Sequence, residues 1–170
     1  HEDFPSDLGF KNGLAISYSR LGDLQKTLGD LDKALWYFEN YNLLEKSLHE
    51  DFPSNVEFKN GLAISYFKLG EIQQSLGNFD KALDFYENDI RLTKSLHEDF
   101  PSNVEFKNNL AISYLKLGSM YENKVKDQTV ALNHYQASET LLLELTTSFP
   151  QYSAFLENLE WVKTGWINYD

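Results

Sequence analysis

Three sets of residues in this chain could do chemistry. The triplet His-Glu-Asp occurs at residues 1–3, 49–51 and 97–99. An imidazole beside carboxylates is raw material for a metal site or an acid/base pair. Neighbours in sequence do not converge on one point, however, and the copies lie 48 residues apart. A solvated role near a helix end is expected instead, where His49 and His97 would sit favourably at a helix C-terminus. His134 stands alone and reads as a surface residue or edge packing. The second set is Asn12, Asn60 and Asn108. An amide carries both donor and acceptor, so such a row could pair with a peptide backbone whatever its sequence, or bond neighbouring helices, or face water. The third set is Arg20, Lys68 and Lys116, followed one turn later by Asp23, Glu71 and Ser119. The cations could attract an acidic peptide, but the carboxylates one turn on are expected to pair with them.

Much chemistry is missing. Without Cys there is no disulfide, Cys-type zinc site or thiol catalysis. There is no GxSxG, no HExxH and no glycine-rich phosphate loop. Nothing brings the abundant carboxylates together as an acid/base pair. The chain therefore reads as no enzyme, with no cofactor and no bound metal.

The elements that carry these residues follow from a repeat. HEDFPS recurs at 1, 49 and 97, and LAISY at 14, 62 and 110. Residues 49–70 and 97–118 agree at 20 of 22 positions, differing only at Gly61/Asn109 and Phe67/Leu115. Each unit reads as two helices. In the second copy the first helix is predicted from about Asn55 to Leu76, started by a Ser54/Glu57 capping box. Ser102 and Glu105 repeat this signal, whereas Ser6 faces Gly9 and predicts a weaker start. All four prolines precede such starts, where a missing N–H costs nothing. Phe58, Leu62, Tyr66, Leu69, Gln73 and Leu76 form one stripe at spacings of 3 and 4. Ile64 and Phe67 fall outside it, so the helix is apolar on a second face, as expected of one sandwiched in a stack. Gly77 and Asn78 break the helix, and a second helix is predicted from about Phe79 to Leu96. Gly70 opposite Ala82 is expected to let the pair approach closely. The third copy has one extra residue and no turn glycine, so a longer, looser turn is expected over Asn123 to Gln128. Tyr152 to Trp166 resembles a degraded first helix and predicts a terminal cap.

Composition agrees with a folded helical array: 42% apolar residues and only 4 Pro in 170. A net charge of -11 without a basic stripe argues against nucleic acid. No apolar run is long enough to cross a bilayer, so no membrane is expected as a partner. The absence of Cys suits a cytoplasmic setting. His1 stands in phase with the repeat, which is expected of a segment of a longer protein with further repeats upstream.

The run Tyr-x-x-Leu-Gly, then Gly, Ala and an aromatic, resembles the tetratricopeptide repeat. Its residues are Tyr18, Leu21, Gly22, Gly29, Ala34 and Phe38; then Tyr66, Leu69, Gly70, Gly77, Ala82 and Tyr86; then Tyr114, Leu117, Gly118, Ala131 and Tyr135 without the turn glycine. The long unit with KNxLAxxY is similar to the kinesin-light-chain type and its bacterial relatives. The resemblance implies an all-α, right-handed superhelical solenoid of helix-turn-helix repeats (1–48, 49–96, 97–148) with a capping helix at about 151–167, in one repeat domain. It also implies that first helices line a concave groove for a protein or peptide. The groove positions would be Asn12, Ile16, Ser19, Arg20 and Asp23; Asn60, Ile64, Phe67, Lys68 and Glu71; and Asn108, Ile112, Leu115, Lys116 and Ser119. Phe67 and Leu115 would offer apolar pockets or pack between first helices. The family's carboxylate-tail clamp needs Lys and Asn at set groove places, which here hold Ser19, Phe67 and Leu115, then Asp23, Glu71 and Ser119, so that mode is not expected. The rival expectation is a structural spacer, or self-association through an uncapped N-terminal face.

Overall fold

The computed structural model describes residues 5–166. They form an all-α helical repeat solenoid of seven α-helices, with no strand among the described residues. These are α1 (Pro5–Thr27), α2 (Leu31–Asp51), α3 (Val56–Ser75), α4 (Phe79–Asp99), α5 (Val104–Met120), α6 (Gln128–Ser148) and α7 (Ser153–Trp166). A π-helical segment, Tyr121–Val125, extends α5. Internal contacts divide the chain into two compact units, His1–Leu92 and Thr93–Asp170, which meet inside α4.

The helix starts differ from the sequence expectation by one residue. Asn55, not Ser54, caps α3: its Oδ1 accepts from the N–H groups of Glu57 (2.9 Å) and Phe58 (3.2 Å). Asn103 likewise accepts from Phe106 N–H at 3.0 Å. Pro53 and Ser54 are consumed by a turn that closes with Asn55 N–H donating to Phe52 O at 2.9 Å. The residue after that turn has the extended backbone an N-cap needs. The second helices run three residues past the predicted Leu96 and take in the His-Glu-Asp triplets, ending at Asp51 and Asp99.

Gly29 and Gly77 turn the chain between paired helices with φ of 81° and 79°, a region glycine enters without steric cost. In the third copy Lys126 occupies that conformation, at φ 64°. The predicted loose turn is instead ordered. The extra residue is absorbed by widening the end of the helix to π geometry, and Asp127 caps α6 by accepting from Val130 N–H at 3.0 Å.

Within each helix pair a glycine lies under an aromatic ring. Gly22 lies under Phe38, Gly70 under Tyr86 and Gly118 under Tyr135; a Cβ on Gly70 or Gly118 would sit 2.6 Å from ring carbon. The expected Gly70–Ala82 approach is therefore a glycine–aromatic contact. The predicted single stripe on α3 also divides. Leu69 and Ile72 join Ala34 and Phe38 of α2, and Phe58 meets Phe52 at the end of α2. Tyr66 and Gly70 turn to Phe85 and Tyr86 of α4. A first helix in a stack must serve the second helices on both sides, so its apolar residues cannot all point one way. In the second unit, Phe155, Leu159 and Val162 of α7 complete a core with Ala111, Leu115, Ala131, Tyr135, Leu142 and Leu145.

Candidate partner-binding face

In the first unit, ion pairs tie α1 directly to α3. Asp23 accepts from Lys68 Nζ at 2.5 and 2.7 Å, and Glu71 accepts from Lys26 Nζ at 2.8 Å. The Lys68 ammonium also lies 5.3 Å from the centroid of the Phe38 ring. Acid and base do pair as expected, but the partners lie on different helices, 45 residues apart. That offset is one helical turn short of the repeat. Lys26 was missed by sequence reasoning, although opposite charges recurring at that spacing could have revealed it. Arg20 is exposed and makes no ion pair among the described residues.

The remaining candidates divide by burial. Ile16 is exposed, while Ile64 and Ile112 are half-buried. Asn12, Asn60 and Asn108 are half-buried. The Asn108 Oδ1 is shielded and accepts no hydrogen bond among the described residues. Ser19, Lys116 and Ser119 are half-buried, and the Ser119 carbonyl accepts from Asn123 Nδ2 at 3.0 Å. Two candidates pack toward the following helix. Phe67 sets its ring edge-on to Tyr86, 5.9 Å between centroids. Leu115 is 9% exposed and belongs to the core of the second unit. Both serve helix pairing because their positions point toward the aromatic residue of the following helix.

The triplets also depart from expectation. Glu50, Asp51, Glu98 and Asp99 are exposed, and Asp51 pairs with Lys11 at 2.9 Å. His49 and His97, expected to be solvated, are half-buried with Nδ1 shielded from solvent. Burial pushes the His97 imidazole below its ordinary value, with Lys107 adding to the effect. Among the described residues no three His, Asp or Glu side chains gather as metal ligands. His1 to Asp3 lie outside the described residues. His134 stacks beside Tyr121, 5.5 Å between centroids.

Besides Lys26, two buried acidic residues escaped the sequence reading, Asp89 of α4 and Glu45 of α2. Glu45 of α2 is 4% exposed and sits over Gly61 of α3, where a Cβ would strike its carboxyl group. Burial raises its pKa to about 7. Tyr41 donates to Gly61 O at 3.2 Å beside it. In the next repeat the corresponding residues are Thr93 and Asn109. This accounts for one of the two differences between the copied segments: Gly61 leaves room for a carboxyl that the later copy lacks.

The family model for the tetratricopeptide repeat matches residues 65–98. That stretch holds Tyr66, Gly70, Gly77, Ala82 and Tyr86, whose contacts and turn geometry are described above, and its pattern recurs on both sides. Over that stretch the chain is similar to a tetratricopeptide repeat. Such a fold suggests a protein-interaction scaffold. Among solved structures the chain is similar to a de novo designed helical repeat protein, at 17% identity, covering 95% of this chain and 94% of that one, TM-score 0.49. It is also similar to MamA of AMB-1, at 18% identity, covering 75% of this chain and 91% of that one, TM-score 0.23. No curated protein matches the chain. Among the described residues no helix is long and apolar enough to cross a membrane.

Proposed function

We propose that the chain is a scaffold whose first helices bind a protein or peptide along a common groove, within one repeat domain. The observation that carries this reading is the row beside the α1–α3 ion pairs. Those pairs satisfy Asp23, Lys68, Lys26 and Glu71 internally. What is left beside them is amide and aliphatic, Asn12 and Ile16 on α1 with Asn60 and Ile64 on α3, together with the exposed guanidinium of Arg20. Asn108 and Ile112 are the corresponding residues of the third copy. Amides can meet a peptide backbone and the isoleucines an apolar side chain, while the paired Lys26 and Lys68 leave Arg20 as the cation on α1 that could meet an acidic group. Leu115 falls outside the binding row, being core, while the half-buried Phe67 shares its ring with Tyr86. The lack of Cys favours a cytoplasmic setting.

The test is a pull-down with the full-length protein, repeated with Asn60→Ala and Asn108→Ala. Lost capture with unchanged melting supports the groove. Lost stability with unchanged capture refutes it and assigns the asparagines to helix packing.

A further inference from the structure

Glu45 is a buried carboxyl that nothing satisfies. It leaves the inner face of α2 between Tyr41 and Leu48, both buried, and ends against the backbone of Gly61 in α3. It is 4% exposed, and its side chain makes no hydrogen bond or ion pair with a described residue. Ionisable groups flank it on each helix packed there: Tyr41 and His49 on α2, Lys11 and Asp23 on α1, Lys59 and Lys68 on α3. Tyr41 donates to Gly61 O, Lys11 is held by Asp51, and Lys68 by Asp23. None of these groups offsets a charge on Glu45, whose pKa is raised to about 7 by burial alone. The rest of the α2–α3 seam is neutral: Phe38 packs with Leu69 and Ile72, and Asn42 Nδ2 donates to Ser65 Oγ at 2.8 Å. The same place in the next two second helices holds Thr93 and Leu142, which cannot ionise.

We propose that Glu45 is a proton-operated latch between the first two helix pairs: with its proton it lets α2 close on the first half of α3, and without it that half of α3 comes away from α2. An unpaired carboxylate held out of water is costly, so ionisation requires the group to reach solvent. Its neighbours on α2, Tyr41 and Leu48, are buried, so the route to water is through the seam. The opening is hinged, because the pairs Lys68–Asp23 and Lys26–Glu71 hold the second half of α3 to α1. Asn60 stands next to Gly61 and moves with it. Resting on the groove reading above, the latch weakens partner capture as pH rises, because Asn60 loses its register with Asn12.

Each opening releases one proton. The opening constant therefore rises about tenfold per pH unit between the ordinary carboxylate value of 4.5 and about 7, then levels off. A half-helix without tertiary packing frays, and its amides exchange. The experiment is hydrogen–deuterium exchange of the intact chain, without partner, at pH 5 and pH 7.5, corrected for the intrinsic exchange rate. Protection across residues 56–65 should fall roughly 50-fold in the wild type, while peptides of α6, which carries Leu142 at that place, keep theirs. Glu45→Gln should remove the fall, and so should Glu45→Leu, which supplies the residue that α6 carries. A fall that persists in either folded variant, an even loss of protection in α3 and α6, or wild-type protection without pH dependence overturns the latch. The measurement involves no partner, so the latch and the groove stand or fall separately.

Discussion

Replacing Glu45 by Gln should convert a pH-dependent protein into a less pH-dependent and more stable one. Glu45 lies between α2 and α3, 4% exposed, with its pKa raised by burial from 4.5 to about 7. Between those values the unfolded chain has released a proton that the folded chain still holds. Stability therefore falls as pH rises through the window and levels off above pH 7. At about 1.4 kcal/mol for each pKa unit, the full gap is worth roughly 3 kcal/mol. Most of that, about 2–3 kcal/mol, should be lost between pH 5 and pH 8. Glutamine keeps the shape over Gly61 and cannot ionise. The assay is urea unfolding followed by circular dichroism at several pH values from 5 to 8, wild type beside Glu45→Gln. The variant should equal wild type near pH 4.5 and exceed it by roughly 2–3 kcal/mol at pH 8. Other titrating groups, His97 among them, contribute equally to both proteins and cancel in the difference. Parallel pH profiles, or a variant no more stable at pH 8, would refute the assignment of a buried, proton-holding carboxyl.

Three further outcomes follow from local geometry, each measurable by chemical unfolding. Gly70→Ala should destabilise by about 1–3 kcal/mol, because its methyl group meets the Tyr86 ring, whereas Gly13→Ala should be neutral or stabilising by up to about 1 kcal/mol. Asn55→Ala should cost about 1 kcal/mol and Ser54→Ala almost nothing; the reverse order would restore Ser54 as the cap. Lys126→Gly should stabilise by about 0.5–1 kcal/mol, by relieving a left-handed backbone that a side chain disfavours, and an unchanged midpoint would show that the π-helical ending carries no such cost.

The helices and their order were legible because the repeat states them three times. A glycine–aromatic–alanine pattern at constant spacing leaves few other ways to bury its apolar residues. The turn glycines marked the helix breaks in advance, and the structure adds that they take a left-handed backbone, which Gly enters freely. The third turn was misread because an inserted residue can be taken up by a loop or by a widened helix, and the sequence around Asn123 does not choose between them. The caps were misread by one residue because Ser54 and Asn55 are both good N-caps, and the choice rests on the turn made by the preceding Phe-Pro-Ser.

The candidate site was less legible. Its residues fall on one helical face by spacing alone, yet spacing cannot tell which neighbour a face will meet. Lys68 could have served a ligand or Asp23; only the lateral fit of α1 on α3 settles that it serves Asp23. Leu115 differs from Phe67 in sequence as though it tuned a pocket, and it is core. By itself the sequence determined the repeat, the helix pairs, the glycine and aromatic positions and the absence of thiol chemistry, because those depend on residue type and local periodicity. The tertiary structure decided which carboxyls are buried and which charges are spent between helices. Those outcomes depend on what stands opposite each residue, which period and composition do not record.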